Sequence, residues 1–148
     1  MRAVIQRVKH ASCTIDGVVS GAIEQGFCIF VGFCDQDTET IMDKMIHKII
    51  NLRVFEDEQG LMNLSLSQID GKVLLISQFT LYADCKKGNR PSFIKAAKPA
   101  VASPLYDKMI AKMRATGTVV ETGVFGADMK IDLLNDGPVT IWLDSEEL

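Results

Sequence analysis

An α/β fold in a single compact domain, with predominantly antiparallel strands and two main helices, is what the sequence predicts. Three observations carry that expectation. Residues 41–50 and 105–113 repeat apolar side chains at helical spacing, while the rest of the chain breaks into short apolar runs separated by Gly-containing turns. No polar linker divides the 148 residues, and 47% apolar content suffices for one cooperative core.

In chain order, Val4, Ile5 and Val8 and then Cys13 and Ile15 mark two opening strand segments, and Asp16-Gly17 predicts a hairpin into residues 18–24. After a Gln25-Gly26 turn, residues 27–33 carry no charge, so they read as a strand covered on both faces. Asp37 is the expected N-cap of the first helix, whose buried stripe is Ile41, Met42, Met45, Ile46, Ile49 and Ile50. Val54 and Phe55 lead into the polar turn Glu56-Asp57-Glu58-Gln59-Gly60. Its acids invite a calcium reading, but the twelve-position loop with a terminal Glu is missing, so a solvated hairpin turn is expected. Asp70-Gly71 then opens the strand at residues 72–76.

From Tyr82 the composition changes. Lys86, Lys87, Arg90, Lys95 and Lys98 fall within thirteen positions, opposed only by Asp84, in a chain whose formal charge is -3. The overall balance excludes a protein that coats nucleic acid, yet this local excess calls for an anionic partner. Ser92 is read as capping a short helical segment through Ala97, and the second main helix as starting near Ser103-Pro104 with Pro104 in its first turn. Leu105, Tyr106, Met109, Ile110 and Met113 form its buried stripe and Gly117 stops it. Residues 118–122, 129–134 and 138–143 return to strand patterning.

Several chemistries are excluded or weakened. The uncharged run at 27–33 is too short for a bilayer span and the opening residues lack a secretory apolar region, which predicts a soluble intracellular chain. Cys13, Cys28, Cys34 and Cys85 include no Cys-x-x-Cys pair and are expected as free thiols in a reducing compartment. His10 and His47 stand apart, without a metal-binding spacing or triad partners, so no metal is expected. Neither Gly-x-Gly-x-x-Gly nor a P-loop is present, and no cofactor is expected.

Two segments remain. Ser77-Gln78-Phe79-Thr80-Leu81 follows a buried strand with two hydroxyls and an amide; it is either an ordinary polar strand end or a pocket wall offering backbone N–H groups. Thr80 has no evident general base, which favours positioning over nucleophilic attack. Asn135-Asp136-Gly137-Pro138-Val139-Thr140 reads either as a tight hairpin turn or, were Gly137-Pro138 cis, as a rigid display of two carbonyls.

Taken together, these segments resemble the paired signature of the D-aminoacyl-tRNA deacylases. The likeness runs through MRAVIQRV at the start, NLRVFEDEQGLMNLS at 51–65 and LYADCKKGNRPSF at 81–93, with Cys85 and Asn89 departing from the usual residues of the basic segment. The resemblance implies one deacylase domain over residues 1–148. It implies a cytoplasmic homodimer that hydrolyses the ester between a D-amino acid, or glycine, and the terminal adenosine of tRNA. It implies that Ser77, Gln78, Phe79 and Thr80 form the catalytic side of the pocket, and that a cis Gly137-Pro138 of the other subunit is the chiral filter. Lys86, Lys87 and Arg90 are then the tRNA-contact candidates, with Lys95 and Lys98 secondary. The 2′-hydroxyl of the substrate supplies the assistance that no histidine offers. A threonine-nucleophile esterase acting through Thr80 and a non-catalytic RNA-binding module are the alternatives.

Overall fold

The computed structural model describes residues 1–148 and is organised around one long strand. β1 (Arg2–Ile15) turns at Asp16 and Gly17 into β2 (Val18–Ile23). Their φ angles of 49° and 77° are the paired positive values a two-residue hairpin needs to follow strand twist. β3 (Gly26–Gly32) pairs antiparallel with β1. β6 (Lys72–Ser77) and β7 (Val120–Thr122) then add in parallel, and parallel neighbours need crossovers. The helices supply them: α1 (Glu39–Asn51) lies between β3 and β6, α2 (Pro99–Ala115) between β6 and β7. β8 (Lys130–Asp144) runs antiparallel along β1. β4 (Phe55–Glu56) and β5 (Met62–Leu64) make a separate small hairpin.

Both helices pack on one face of the sheet. Met42, Met45, Ile46 and Ile49 of α1 and Tyr106, Met109 and Met113 of α2 join Phe27, Ile29 and Val31 in the main core. The opposite face buries Cys28, Leu74 and Ile76 under Val8, Ala11, Cys13 and Ile23. β3 is therefore covered on both sides, the physical reason its run tolerates no charge. β2 folds back until Gly21 meets β7, where a Cβ would lie 2.7 Å from the Thr122 carbonyl oxygen. No helix is long and apolar enough to cross a membrane.

Five expectations are corrected. The N-cap of α1 is Thr38, whose Oγ1 accepts from the Ile41 amide, because the Asp37 carboxylate is held by the Met1 amino group at 2.5 Å and the Cys34 amide at 2.8 Å. α2 starts at Pro99, so the first-turn proline is Pro99 and Pro104 lies inside the helix. Ser92 caps no helix; it exchanges backbone hydrogen bonds with Asp84, and the chain stays irregular to Lys98. The two opening segments are one strand, β1, and the segments around Asn135 to Thr140 are halves of one strand, β8, because both halves pair with β1 without reversing direction. The acidic turn after β4 does form a hairpin: the Asp57 carboxylate accepts from the Gln59 and Leu61 amides and from Asn63 Nδ2, and these bonds hold its carboxyl below the usual range.

All four cysteines are free; Cys13, Cys28 and Cys34 are buried and Cys85 is exposed. Burial, aided by neighbouring Cys13, pushes the Cys28 thiol up to about 12. Alkylation of the native protein with iodoacetamide at mildly alkaline pH is expected to add one group per chain, at Cys85. Denaturation exposes the other three, and mass spectrometry distinguishes the two patterns; rapid native labelling of Cys28 would contradict its burial.

Candidate active site

A cavity of about 490 Å³ opens at the carboxyl ends of the parallel strands β3 and β6, the end of such a pair at which α/β sheets bind ligands. Gly32 and Phe33 border it at the end of β3, and Ser77, Gln78 and Phe79 at the end of β6. The stretch from Phe93 to Pro99 and the loop of residues 125–129 close the remaining sides. The lining is mainly apolar, and Phe79 and Phe93 meet edge to face with ring centres 5.0 Å apart. Phe79 is half exposed, so an aromatic surface faces the opening.

The Ser-Gln-Phe-Thr-Leu signature bends sharply here. Ser77 is the last residue of β6, the Gln78 amide donates to the Val31 carbonyl at 2.7 Å, and residues Phe79–Tyr82 form one 3₁₀ turn. The first amides of such a turn have no partner within it, and neither the Phe79 nor the Thr80 amide donates to a side chain or to a loop carbonyl. Thr80 does not line the cavity; its hydroxyl accepts from the Gln78 side-chain amide. The turn can lie this close to β3 because residue 32 is glycine: a Cβ there would stand 2.8 Å from the Gln78 carbonyl oxygen.

The basic residues divide. Asp84 and Ser92 close a loop on which Lys86, Lys87 and Arg90 are exposed. One Asp84 oxygen accepts from the Lys86 amide at 3.0 Å and the other pairs with Lys95 Nζ at 3.2 Å, and these two partners lower the Asp84 carboxyl. Lys98 lies on the cavity wall beside Pro99. Of the secondary pair, Lys95 thus braces its own loop and Lys98 reaches the opening.

Gly137 and Pro138 lie elsewhere. Gln6 of β1 faces Thr140 of β8 and Val8 faces Asn135, so the single residue Arg7 stands opposite four, Asp136 to Val139, which swell out as an exposed bulge. The Gly137-Pro138 bond in it is cis. Neither residue lines the cavity of its own chain. Arg7 and Arg2, which faces the cavity end of β3, are five residues apart on β1, about 17 Å at strand rise.

The bulge is braced on every side. Arg7, only 6% exposed, donates Nε to the Asp136 carbonyl at 3.0 Å and a terminal nitrogen to the Val54 carbonyl at 2.6 Å. The Asp136 carboxylate sits 3.6 Å from Arg7 and 3.5 Å from Lys9. Across the neck, Asn135 donates to Thr140 Oγ1 and accepts from the Val139 amide, both at 2.9 Å. Gly137 has φ of 131°, and a Cβ there would lie 2.8 Å from Val139 and 3.0 Å from the Arg7 guanidinium. Sequence reasoning missed Arg7, Gly32, Phe93 and the 125–129 loop. The one available signal for Arg7 was its register, two positions after Ile5 on the buried alternation of Ala3 and Ile5.

Comparison with known proteins follows the same outline. A family model described as D-Tyr-tRNA(Tyr) deacylase matches residues 4–144. The D-aminoacyl-tRNA deacylase of Bacteroides fragilis (strain YCH46) is 54% identical over 147 residues, covering 99% of this chain and 98% of its own. That of Limosilactobacillus reuteri (strain DSM 20016) is 57% identical over 141 residues, covering 95% and 97%. Among solved structures, the c-Myc DNA Unwinding Element Binding Protein superposes with a TM-score of 0.92 at 40% identity, covering 97% of this chain and 98% of that one.

Removing the Arg7 guanidinium leaves two carbonyls inside the fold without a donor. Arg7→Met is therefore expected to lower unfolding stability by about 2–4 kcal/mol, and Arg7→Lys to recover little, since one ammonium does not reproduce the two-armed grip. Urea unfolding monitored by circular dichroism measures both; an unchanged midpoint would show that the bulge stands without this brace.

Proposed function

The chain belongs to the D-aminoacyl-tRNA deacylase family and hydrolyses the ester that joins a D-amino acid to tRNA, and we propose that it does so as a homodimer in which each cavity is completed by the Gly137-Pro138 bulge of the other copy. The observation that carries this reading is the separation of the two signature segments within one chain. A braced, exposed bulge and an apolar cavity that shares no residue with it make sense together when a second chain brings them face to face.

In this reading the terminal adenosine occupies the aromatic opening beside Phe79 and Phe93, with Ser77 and Gln78 shaping the wall. Water attacks the acyl carbon, the bond to the ribose 3′-oxygen breaks, and the departing oxygen takes a proton. The Phe79 amide on the cavity wall and the adjoining Thr80 amide, at the free start of the turn, are suited to the oxyanion that develops on the carbonyl. The one carboxylate on the cavity lining, Asp128, is exposed and paired with Lys130 at 3.0 Å, so the neighbouring 2′-hydroxyl of the substrate is the group that relays the proton. Thr80 positions: its hydroxyl is engaged by Gln78 and off the cavity wall, which speaks against a nucleophile.

The partner's Gly137 and Pro138 screen the configuration at Cα by backbone. An L-residue would drive its side chain into that backbone, and rejection by clash exceeds what a missing methylene supplies. Glycine, having no side chain, passes. Lys86, Lys87 and Arg90 take backbone phosphates near the acceptor end, with Lys98 at the cavity and Lys95 bracing the loop. The cytoplasm, where aminoacyl-tRNA is used and thiols stay reduced, is the fitting compartment.

The decisive comparison is single-turnover hydrolysis of matched D- and L-aminoacyl-tRNA ending in adenosine or 2′-deoxyadenosine. Wild type should cleave the D form and spare the L form, lose about a hundredfold or more on the deoxy substrate, and keep turnover within about tenfold in Thr80→Ala. Abolished turnover in Thr80→Ala with a trapped acyl-Thr80 would establish the nucleophile instead. Sedimentation equilibrium should give the dimer mass.

Neutralising Lys86, Lys87 and Arg90 together should weaken tRNA binding. It should also flatten the slope of log affinity against log salt by about 0.7 for each single-strand phosphate contact removed, leaving D over L preference intact. Binding across a salt series measures this, and an unchanged slope would assign the three cations to solvated surface.

A further inference from the structure

The reacting turn, residues Phe79–Tyr82, is mounted at two points. At its entrance the Gln78 amide is bonded to the Val31 carbonyl of β3. At its exit the Leu81 carbonyl accepts from a terminal nitrogen of Arg2 at 3.1 Å. The Phe79 and Thr80 amides lie between these two grips.

Arg2 reaches this carbonyl through strand register. On β1 it pairs with Gly32 of β3 on one side and Asp144 of β8 on the other. Gly32 is the position over which the turn packs, with Leu81 and Tyr82 each 3.3 Å from where a Cβ would stand. The guanidinium is itself held rigidly. Its Nε donates to Asp144 Oδ2 at 2.9 Å, and its centre lies 4.5 Å from the Tyr82 ring and 5.7 Å from the Trp142 ring. Asp144 is 8% exposed and its other oxygen accepts from the Glu146 amide at 3.1 Å, so the carboxylate does not swing freely.

We propose that Arg2 is a positioning residue for hydrolysis: by holding the Leu81 carbonyl from a site fixed by Asp144, Tyr82 and Trp142, it sets where the Phe79 and Thr80 amides stand. The proposal rests on the reading of those amides as oxyanion donors. A planar fork that donates along two directions and stacks on its face suits this post, whereas an ammonium does not. Arg2 touches neither cavity nor substrate, so its contribution falls on the rate of the bound complex rather than on binding.

The test uses full-length protein and D-aminoacyl-tRNA. In Arg2→Ala the saturating single-turnover rate is expected to fall roughly ten- to a hundredfold, with the half-saturating enzyme concentration held within about twofold. The Phe79 and Thr80 amide signals should shift in a ¹⁵N-correlated NMR spectrum and their hydrogen exchange should quicken. Added methylguanidinium should restore part of the rate, and Arg2→Lys should restore less. Trp142→Leu, which removes only the half-exposed face of the sandwich, should lower the same rate more mildly and serves if Arg2→Ala does not fold. Amide signals identical to wild type in these variants would overturn the proposal. Shifted signals with an unchanged rate would overturn it as well, and would remove the two amides from the catalytic account while leaving the grip of Arg2 on the turn as structure only.

Discussion

The mismatch of register opposite Arg7 is the constraint on which this molecule turns. β1 pairs with β8 on both sides of that residue, yet one residue of β1 must span four of β8. A buried guanidinium is costly unless its donors are satisfied, and the bulge satisfies them with the Asp136 carbonyl while the loop after α1 contributes that of Val54. Each side thereby fixes the other. The bulge is held in one shape, and the cation has a reason to be inside.

The same strand also governs the cavity. β1 delivers Arg2 to the 3₁₀ turn and Arg7 to the bulge, and β3, paired with β1 throughout, provides Gly32 and Val31 as the bed of that turn. The helices act less directly: they are the crossovers that let β6 lie parallel to β3, so that both strands end at the cavity. α2 also brings Pro99 and Ala102 to its wall. A rigid scaffold with irregular segments at its strand ends is thus the general solution, and the catalytic economy of this protein is a special case of it.

That economy is a matter of chemistry as well as geometry. The cavity is mainly apolar, its acidic member is engaged at the surface, and neither histidine borders it. Backbone amides do not titrate, so oriented N–H groups retain their polarity across the working pH range without a tuned side-chain pKa. The proposed selection by the Gly137-Pro138 backbone would carry the same logic: it would respond to the substituents on Cα and leave the amino-acid side chain free to vary.

Much of this was legible in residue patterns. The uncharged run 27–33 announced a strand buried on both faces, the stripes of α1 and α2 announced helices on a core, and Asp16-Gly17 announced a hairpin, because burial period and turn dihedrals are local properties of the chain. The Ser77 to Thr80 segment stood out for polarity at the end of an apolar strand. What failed to show depended on distant residues. Asp37 has the chemistry of a cap but is held by Met1 and Cys34, leaving the cap to Thr38; Asn135 to Thr140 has the composition of a hairpin, yet β1 keeps both flanks in one strand. Arg7 and Gly32 gain their meaning only from what lies across the sheet. The sequence by itself determined the elements, the buried faces and the segments available for chemistry, since these follow from side chains a few positions apart. Tertiary structure alone decided which polar group meets which, because such partners are chosen by register and packing between residues far apart in the chain.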